Sequence, residues 1–348
     1  MKRTIITPSA KRAIWITICV TLAVILVTLI TGAAYIQSLL NLINKNPDNS
    51  AMSQEEYEQF LKDQAAMGSD STGETIDPDD VDLNLHNRPV SNQKHITNIM
   101  LIGQDRRPGE NRTRSDVMIL CTINSKTKEL TLTSFMRDMY VAIPGYENDK
   151  MNASYYLGGM KLLDQCMKDN FGVHVDGNIE VDFDGFADIV DLMGGLEISL
   201  TEGEANFLRM FEFDVRPGRN KLNGKAVVLY TRIRTVGNSD YTRTERQRKV
   251  LNLLFEKCRG MSLTKLKALV EKTLPLITTD MTNRKILDYV TDFLPMLGDV
   301  EVYSGRIPAD GTFKEVSIRG MDVLLPDLEA NRAILNEIMT RTVRQNKD

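Results

Sequence analysis

The fold is decided by the stretch ITNIMLIGQ (Ile96–Gln104), which is followed by DVMILCTIN (Asp116–Asn124) and ELTLTSF (Glu129–Phe135). These short apolar runs are bounded by turn signals, a pattern that is typical of buried strands. The turn-like SKTK between the second and third runs predicts that these two strands form a pair.

Amphipathic helices are predicted on the C-terminal side of these strands. Helical spacing occurs in GGMKLLDQCMKDNFG, FDGFADIVDLMGG, LNGKAVVLYTRIR and DYTRTERQRKVLNLLFEKC, with strand-like IEVDF and LEISL between them. The region from 262 to 348 is predicted to be helical until Leu297, then to form a strand (EVYSGRIPA) and a terminal helix (PDLEANRAILNEIM). Strands mixed with amphipathic helices predict an α/β domain whose central sheet is covered by helices.

The N-terminus predicts a membrane anchor. Residues 13–36 contain no charge, and a helix of about 20 apolar residues spans a bilayer. Basic residues lie within 1–12, so the positive-inside rule places 1–12 in the cytoplasm and the rest of the chain outside the cell membrane. A cleaved signal peptide is the alternative, with Gly32-Ala33-Ala34 as a cleavage site. Its apolar region would span only about 7–15 residues, so we favour a retained single-pass anchor.

Residues 37–94 are predicted to form an extracellular stalk and acidic linker. Within it, Ser53 and Glu56 form a capping-box pattern that predicts a short stalk helix. The stretch from Ser69 to Asp82 is acidic, lacks aromatic residues and shows no periodicity, which favours a loosely ordered tether. The folded domain is therefore predicted to span 95–348.

Composition excludes several classes of protein. A formal net charge of -4 argues against a general nucleic-acid binder. Of the 4 cysteines, Cys19 lies in the apolar span, and Cys121, Cys166 and Cys258 cannot all pair within one chain. The sequence is therefore not that of a disulfide scaffold. The 3 histidines form no Cys/His cluster, which argues against a zinc site.

Charged residues lie at the ends of the three predicted strands. Asp105 follows the first strand, Arg114 and Asp116 flank the start of the second, and Arg137 and Asp138 follow the third. Strand ends on α/β folds converge on one crevice, which makes these residues candidates for a site. The structural alternative for each is an aspartate that caps a turn and an arginine that pairs with it.

A second set of charges lies between Tyr230 and Lys249, in YTRIRTVGNSDYTRTERQRK. On a helix that begins near Asp240, this residue shares one face with Arg243 and Gln247. The same face continues through apolar residues, so Arg243 and Gln247 are predicted to point inward. A buried arginine needs an anionic partner, and arginine matches phosphate oxygens with paired donors. The pattern therefore predicts a phosphate-and-metal site.

The alternatives for this basic segment are a solvated face and a nucleic-acid patch. A solvated face suits Arg248 and Lys249, which are predicted to lie on the solvent side of the helix. A nucleic-acid patch does not suit the predicted extracellular topology.

Six blocks in order resemble the LytR-CpsA-Psr family of cell-wall ligases. They are NIMLIGQD, RSDVMIL, SFMRDMYVAIPG followed by KMNASYYLGG, VDFDGFADIVDLMGGLEISL, RPGRNKLNGKAVVLYTRIR and SDYTRTERQRKV. The resemblance covers about residues 98–258 and continues more loosely to the C-terminus. Two positions depart from the family pattern: Met136 replaces a proline and Gln104 a smaller residue.

The resemblance implies a three-layer α/β/α domain with a hydrophobic lipid tunnel and a central mixed sheet. It implies transfer of a glycopolymer, such as teichoic acid or capsular polysaccharide, from undecaprenyl pyrophosphate to peptidoglycan. It implies that Asp105 and Asp116 hold Mg²⁺, or Mn²⁺ in its place. The phosphate-binding and catalytic residues that it implies are Arg114, Arg137, Arg232, Arg234, Asp240, Arg243, Arg246 and Gln247.

Two other functions fit the same residues. A polyprenyl pyrophosphate phosphatase would use water in place of the wall hydroxyl. A surface regulator or lipid-binding protein would need no turnover.

Overall fold

The computed structural model describes residues 31–45, 47–66, 73–83, 85, 94–106 and 112–339. The predicted N-terminus at 1–12 and most of the predicted membrane span at 13–36 lie outside these ranges; residues 31–40 are helical. None of the helices within the described ranges is long and apolar enough to cross a membrane.

The strands alternate with helices along the chain. The strands are β1 (Glu74–Ile76), β2 (Ile96–Gln104), β3 (Ser115–Asn124), β4 (Glu129–Phe135), β5 (Tyr140–Val141), β6 (Asp149–Lys150), β7 (Gly177–Asp182), β8 (Leu196–Leu200), β9 (Gly218–Leu222), β10 (Thr278–Thr279), β11 (Glu301–Ile307), β12 (Phe313–Ile318) and β13 (Met321–Pro326). The helices are α1 (Gln54–Ala66), α2 (Met151–Phe171), α3 (Phe183–Leu192), α4 (Glu202–Arg209), α5 (Gly224–Thr231), α6 (Ser239–Arg259), α7 (Leu263–Thr273), α8 (Asn283–Phe293) and α9 (Leu328–Met339).

The central sheet is mixed, with strand order β10-β7-β2-β3-β4-β11. Its middle is formed by the three strands that the sequence predicted, and β2, β3 and β4 pair antiparallel as two successive hairpins. The flanking strands β7 and β11 run parallel to their neighbours β2 and β4. The predicted mixed α/β fold is therefore confirmed.

Helices cover both faces of this sheet because strand side chains alternate between the two faces. On one face, Met100 of β2 packs in a core with Leu163 of α2 and Leu335 of α9. On the other face, Ile119 of β3 packs with Leu251 of α6. The sheet thus lies between two helical layers.

Side-chain caps set the start of the helices that lie near the strand ends. Asp182 accepts a hydrogen bond from the Gly185 backbone at the start of α3, and Asn223 accepts one from Ala226 at the start of α5. Such caps satisfy backbone donors that have no partner within the helix. The residues at which α3 and α5 begin are therefore set locally.

The segment predicted as a stalk and linker packs onto the domain where it is described. Ser53 and Glu56 form the predicted reciprocal cap, and Phe60 of α1 is only 8% exposed within the core that contains α2. Strand β1 pairs parallel with β12. The expectation of a loose tether is wrong for residues 74–76, because their backbone groups are satisfied by a strand more than 200 residues away in sequence.

The C-terminal region agrees in part with the sequence prediction. The helices α7 and α8, the strand β11 and the terminal helix α9 lie where the pattern placed them. The hairpin of β12 and β13 was not predicted. Its turn has Arg319 and Gly320 at positive φ, and its short strands give little periodicity to detect.

Candidate active site

Asp105 and Asp116 lie at neighbouring strand ends. Gly103 pairs with Val117 and Gln104 pairs with Ser115, so the register shifts and Asp116 has no residue opposite it. A bulge of this kind turns the extra side chain in a new direction and is common next to active sites. Asp116 is therefore set apart from the regular alternation of β3.

Arg137 follows β4 and reaches across to this bulge. Its Nη1 lies 2.5 Å from Asp116 Oδ1, and its Nε lies 3.3 Å from Asp138 Oδ2. Lys150 of β6 approaches the other oxygen of Asp138 at 3.0 Å. Burial alone would raise the pKa of Asp138, but Lys150 and Arg137 outweigh burial and hold that pKa below its ordinary value.

The N-terminal turns of α6 add Asp240 and Arg243. The Nη2 of Arg243 lies 3.1 Å from Asp240 Oδ1, and Arg234 Nε lies 3.6 Å from the same oxygen. The Arg243 side chain is 4% exposed, and its Nε is buried without a hydrogen-bond partner. Burial lowers the pKa of Arg243 to about 10, and repulsion by Arg137 contributes to the decrease.

These residues form one unit, the arginine–aspartate cluster, defined as Asp116, Arg137, Asp138, Arg234, Asp240 and Arg243. Burial lowers the pKa of Arg137, but Asp138, Asp116 and Asp240 together raise it above its ordinary value. Arg243, by contrast, is held mainly by Asp240 and keeps an unused donor. Because a buried cation with a free donor is unfavourable, Arg243 is suited to bind an anion.

Asp105 and Arg232 form a second pair near the cluster. Arg232 Nη2 lies 2.8 Å from Asp105 Oδ2, and both side chains are 45% exposed. The Arg232 guanidinium also lies over the Phe183 ring at 4.9 Å from its centre. This pair is open to solvent and to a ligand.

An apolar cavity of about 210 Å³ lies between the sheet and the helices α3 and α6. Its lining includes Val117, Ile119, Phe183, Phe186, Thr231, Gln247 and Leu251. Val117 adjoins Asp116, Thr231 adjoins Arg232, and Gln247 lies one helical turn after Arg243. The cavity therefore lies next to the charged residues and is lined mostly by hydrocarbon.

The LytR_cpsA_psr family profile matches residues 55–338, which is most of the chain. The chain belongs to the LytR_cpsA_psr family. The resemblance that the six sequence blocks indicated is therefore confirmed.

Relatives of this family protein carry different names. The chain is 28% identical to the regulatory protein MsrR of Staphylococcus aureus over 241 residues, which is 68% of this chain and 72% of MsrR. It is 29% identical over 242 residues to TagU of Bacillus subtilis, a polyisoprenyl-teichoic acid--peptidoglycan teichoic acid transferase, covering 68% of this chain and 76% of TagU. The fold resembles that of Bacillus subtilis YwtF (TagT) with bound octaprenyl pyrophosphate, with a TM-score of 0.54 and 20% identity over 71% of this chain and 91% of YwtF.

The predicted inward face of α6 in this family member is confirmed. Arg243 and Gln247 are buried, at 3% and 7% exposed. Gln247 contacts the apolar cavity, whereas Arg243 belongs to the arginine–aspartate cluster. The helical spacing alone was sufficient to place these two side chains.

Arg246, which the family resemblance assigned to substrate binding, pairs with protein groups. Its guanidinium donates to Glu204 Oε1 at 2.7 Å and to the carbonyl oxygens of Ile233 and Val236 at 3.0 and 2.8 Å. All three nitrogens are thus engaged by protein groups. Arg246 anchors the loop between α5 and α6, and its assignment to substrate binding stays a prediction.

Arg248 was predicted on the solvent side, and this prediction is wrong. Its exposure is 8%, whereas the neighbouring Lys249 is exposed as predicted. Arg248 lies on the side of α6 that faces β11, at Gly305 and Arg306. The sequence pattern of α6 contains no information about that distant strand.

Arg114 contacts the ring of Phe60, with its guanidinium carbon 5.0 Å from the ring centre. This contact is a cation–π interaction with α1 and not a pairing with either predicted metal-binding aspartate. Lys150, which pairs with Asp138, was not among the predicted site residues. Its position as the first residue of the family-like block KMNASYYLGG could have indicated it.

Asp105 and Asp116 supply the hard oxygen ligands that Mg²⁺ prefers. Within the described ranges, no group of three or more His, Cys, Asp or Glu residues could hold a metal ion. Mg²⁺ is commonly held by one or two carboxylates and completed by phosphate oxygens and water. The donor set therefore fits Mg²⁺ together with a phosphate ligand, and Mg²⁺ or Mn²⁺ binding stays a prediction.

Proposed function

We propose that this chain is a phosphotransferase that moves a glycopolymer from a polyprenyl pyrophosphate carrier to peptidoglycan. The observation that carries the proposal is the buried, incompletely paired Arg243, one helical turn before Gln247 in the lining of an apolar cavity. A ligand that joins an anion to a hydrocarbon chain matches both features. The name of TagU and the octaprenyl pyrophosphate bound to YwtF support the same ligand class.

The apolar cavity is proposed to hold the part of the lipid next to the pyrophosphate. Its lining by side chains such as Ile119, Phe186 and Leu251 would remove hydrocarbon from water. Such burial contributes about 0.8 kcal/mol per methylene group. Thr231 and Gln247 mark its polar end, where the lipid would join the phosphate groups.

The arginines are proposed to bind the pyrophosphate oxygens. Arg137 is partly buried and Arg243 is buried, and they lie beside each other; Arg232 and Arg234 are about half exposed. Arginine presents paired, planar donors to phosphate and keeps its charge. An incoming diphosphate would satisfy the free Nε of Arg243 and relieve its repulsion with Arg137.

Asp105 and Asp116 would hold the metal ion. Mg²⁺, when bound, would supply positive charge beside the pyrophosphate oxygens. Each aspartate pairs with an arginine in the present structure, Asp105 with Arg232 and Asp116 with Arg137. If the aspartates bound the ion in place of these arginines, both guanidinium groups would be free to turn toward phosphate.

The proposed reaction is a substitution at the phosphorus that bears the glycan. A hydroxyl oxygen of the acceptor forms a bond to this phosphorus, and the bond to the bridging oxygen breaks. Polyprenyl phosphate then leaves with the negative charge, which Arg137 and Arg243 stabilise. The hydroxyl proton passes to a base, for which we propose Asp240.

The reaction is proposed to take place outside the cell membrane, with the chain anchored by a single N-terminal span. The charge pattern of 1–36 supports this location. The acceptor, peptidoglycan, is an extracytoplasmic polymer. Transfer to peptidoglycan therefore requires the same orientation of the chain that the charge pattern predicts.

The test is a transfer assay with the full-length protein in detergent. A synthetic polyprenyl pyrophosphate donor is incubated with peptidoglycan, and mass spectrometry follows polymer attachment and lipid phosphate release. Polymer attachment is the expected result. Phosphate release without attachment would instead make the protein a polyprenyl pyrophosphate phosphatase.

A regulatory function is the second candidate, because the relative MsrR is named a regulatory protein. A regulator that only holds lipid would bind the donor and show no turnover. Lipid that copurifies with the protein, together with an inactive wild type, would favour this function over transfer.

A further inference from the structure

A second cleft lies on the opposite side of α6 from the apolar cavity. It has a volume of about 660 Å³ and is bordered by α6, β11, β12 and α9. We call it the rear cleft and define it by Tyr241, Thr242, Arg248, Arg306, Phe313 and Glu315, which all line it. None of these residues belongs to the arginine–aspartate cluster.

Arg248 provides the rear cleft with an unused buried donor. The residue is 8% exposed, and its Nη1 is buried without a hydrogen-bond partner. Burial lowers its pKa, and Arg306 lowers it further against the opposing effect of Glu245. A buried guanidinium nitrogen without a partner is unfavourable, so a ligand oxygen in the cleft would stabilise it.

The second arginine of the rear cleft is already paired. Arg306 pairs with Asp310, and its guanidinium lies over the Tyr241 ring at 4.5 Å from the centre. It therefore serves as part of the wall. Arg248 is the cation whose donor remains for a ligand.

Aromatic rings and oxygen acceptors form the remainder of the wall. The rings of Tyr241 and Phe313 are stacked with centres 6.0 Å apart, and the Tyr241 hydroxyl donates to Glu315 at 2.7 Å. Apolar surface with a few placed polar groups is typical of small-ligand sites. Aromatic surface suits the C–H face of a sugar ring, and carboxylates such as Glu245 and Glu315 accept hydrogen bonds from sugar hydroxyls.

The charge of the rear cleft limits its ligand. Three carboxylates, on Glu245, Asp310 and Glu315, line it together with two arginines. A polyanion such as a nucleic acid would be repelled by these carboxylates. A neutral saccharide would offer Arg248 only hydroxyl oxygens, whereas a saccharide with one oxyanion gives it a charge-assisted hydrogen bond without the repulsion of a polyanion.

The rear cleft adjoins the arginine–aspartate cluster. Arg306 Nη1 lies 3.3 Å from the sulfur of Met136, and Met136 directly precedes Arg137. Tyr241 likewise follows Asp240 on α6. A ligand in the cleft would therefore lie about one helix diameter, roughly 10 Å, from the charged residues of the cluster.

We propose that the rear cleft binds a saccharide that carries a single oxyanion, which pairs with Arg248. The inference rests on the proposed function only in that a bound saccharide would be part of a transfer substrate. The oxyanion has two sources in that reaction. It is the lactyl carboxylate of a muramic acid without a stem peptide if the saccharide belongs to the wall acceptor, and a phosphate ester if it belongs to the donor polymer.

The test compares three sugars on the full-length protein in detergent. Saturation-transfer NMR and titration measure binding of N-acetylmuramic acid, which carries a carboxylate, of the methyl ester of glucose 1-phosphate, a phosphodiester with one negative charge, and of uncharged N-acetylglucosamine. At least one charged sugar should bind about tenfold more tightly than N-acetylglucosamine, the difference expected for one charge-assisted hydrogen bond. A preference for the carboxylate assigns the acceptor, and a preference for the phosphate assigns the donor.

The matched variants are Arg248→Met and Arg219→Met. Arg248→Met should remove the preference for the charged sugar. Arg219→Met should leave this preference unchanged, because the Arg219 side chain is 85% exposed. Because Arg248 Nη1 has no partner, Arg248→Met should also leave the melting temperature unchanged or higher, unlike the loss of a structural arginine. The inference would be overturned if the wild type bound all three sugars equally, or if the preference for a charged sugar survived Arg248→Met.

Binding of octaprenyl pyrophosphate to the wild type is measured in parallel. Failure of lipid binding would contradict the proposed function and leave the sugar result intact. Failure of sugar discrimination would contradict the rear-cleft inference and leave the proposed function intact.

Discussion

Arg243 and Arg248 lie on the same helix but face different sites. They are five residues apart on α6, and both are buried with an unpartnered nitrogen, Nε in Arg243 and Nη1 in Arg248. Arg243 faces Asp240 within the arginine–aspartate cluster, whereas Arg248 faces the rear cleft. Arg246, between them, is fully engaged by protein groups. Equal burial therefore accompanies three different roles.

Arg243→Lys should reduce glycopolymer transfer nearly as much as Arg243→Ala. Lysine keeps the charge but loses the planar, paired donors that match phosphate. Loss of one such donor from a transition-state site costs on the order of 3 kcal/mol, or about a hundredfold in rate. The measurement is the initial rate of transfer, with the exposed Arg219→Lys as control. Wild-type rates in Arg243→Lys would remove Arg243 from the site.

Asp105→Asn and Asp116→Asn should each abolish metal-dependent transfer and leave the fold intact. Both side chains are near the surface of the site, so an amide of the same shape should be tolerated in each. The amide oxygen is a weaker ligand for Mg²⁺ than a carboxylate. Transfer is measured across a Mg²⁺ titration, and circular dichroism checks the fold. Full activity at all metal concentrations in both variants would contradict the metal assignment.

At the scale of elements, α1 and β1 belong to the folded domain. Phe60 of α1 packs against Tyr156 of α2 with ring centres 5.7 Å apart. The guanidinium carbon of Arg114 lies 5.0 Å from the centre of the Phe60 ring. Gly159, at φ +66 in a kink of α2, lies against this N-terminal segment: a Cβ there would lie 2.3 Å from the Asp48 carbonyl oxygen. The described part of this segment around Asp48 and Phe60 is therefore held by side-chain and backbone contacts.

Phe60→Ala should destabilise the domain by about 3 kcal/mol, the lower end for a buried phenylalanine in a core. The residue is 8% exposed and forms part of the core shared with α2. The free energy of unfolding is measured by denaturant titration. Phe211→Ala is the control, because Phe211 is 53% exposed and its loss should change stability little. Equal effects of the two substitutions would show that α1 does not contribute to the core.

At the scale of the whole molecule, the two faces of the central sheet are packed differently. One face, with α2 and α9, forms the extensive core that stabilises the fold. The other face, with α3 and α6, leaves the apolar cavity beside the charged strand ends. The helix α6 borders both this cavity and the rear cleft. Ligands on its two sides would thus share one rigid element.

The chain from Lys45 onward is expected outside the cytoplasm, because the uncharged 13–36 follows a basic N-terminus. Protease added to intact protoplasts should remove the domain, and immunoblotting of a C-terminal tag measures this loss. A cytoplasmic protein followed in the same samples should stay intact until the membrane is opened. A domain that survives as long as that protein would reverse the predicted orientation.

The sequence by itself determined five of the six strands of the central sheet, the family and the inward face of α6; β10 lies in a region that was predicted to be helical. Apolar runs such as Ile96–Gln104 and the spacing of Arg243 and Gln247 are local patterns, and local geometry converts them directly into strands and helix faces. The positions of Asp116 and Arg137 at predicted strand ends also indicated that both lie in one crevice, and the structure pairs them.

Only the tertiary structure decided the roles of Arg246 and Arg248 and the packing of β1. Each depends on a partner far away in sequence: Glu204 for Arg246, the region around Arg306 for Arg248, and β12 for β1. Helical periodicity distinguishes the faces of a helix, but it does not show how many of those faces neighbouring elements cover. On α6 both sides are covered, so a residue that periodicity assigned to solvent is buried in the folded protein.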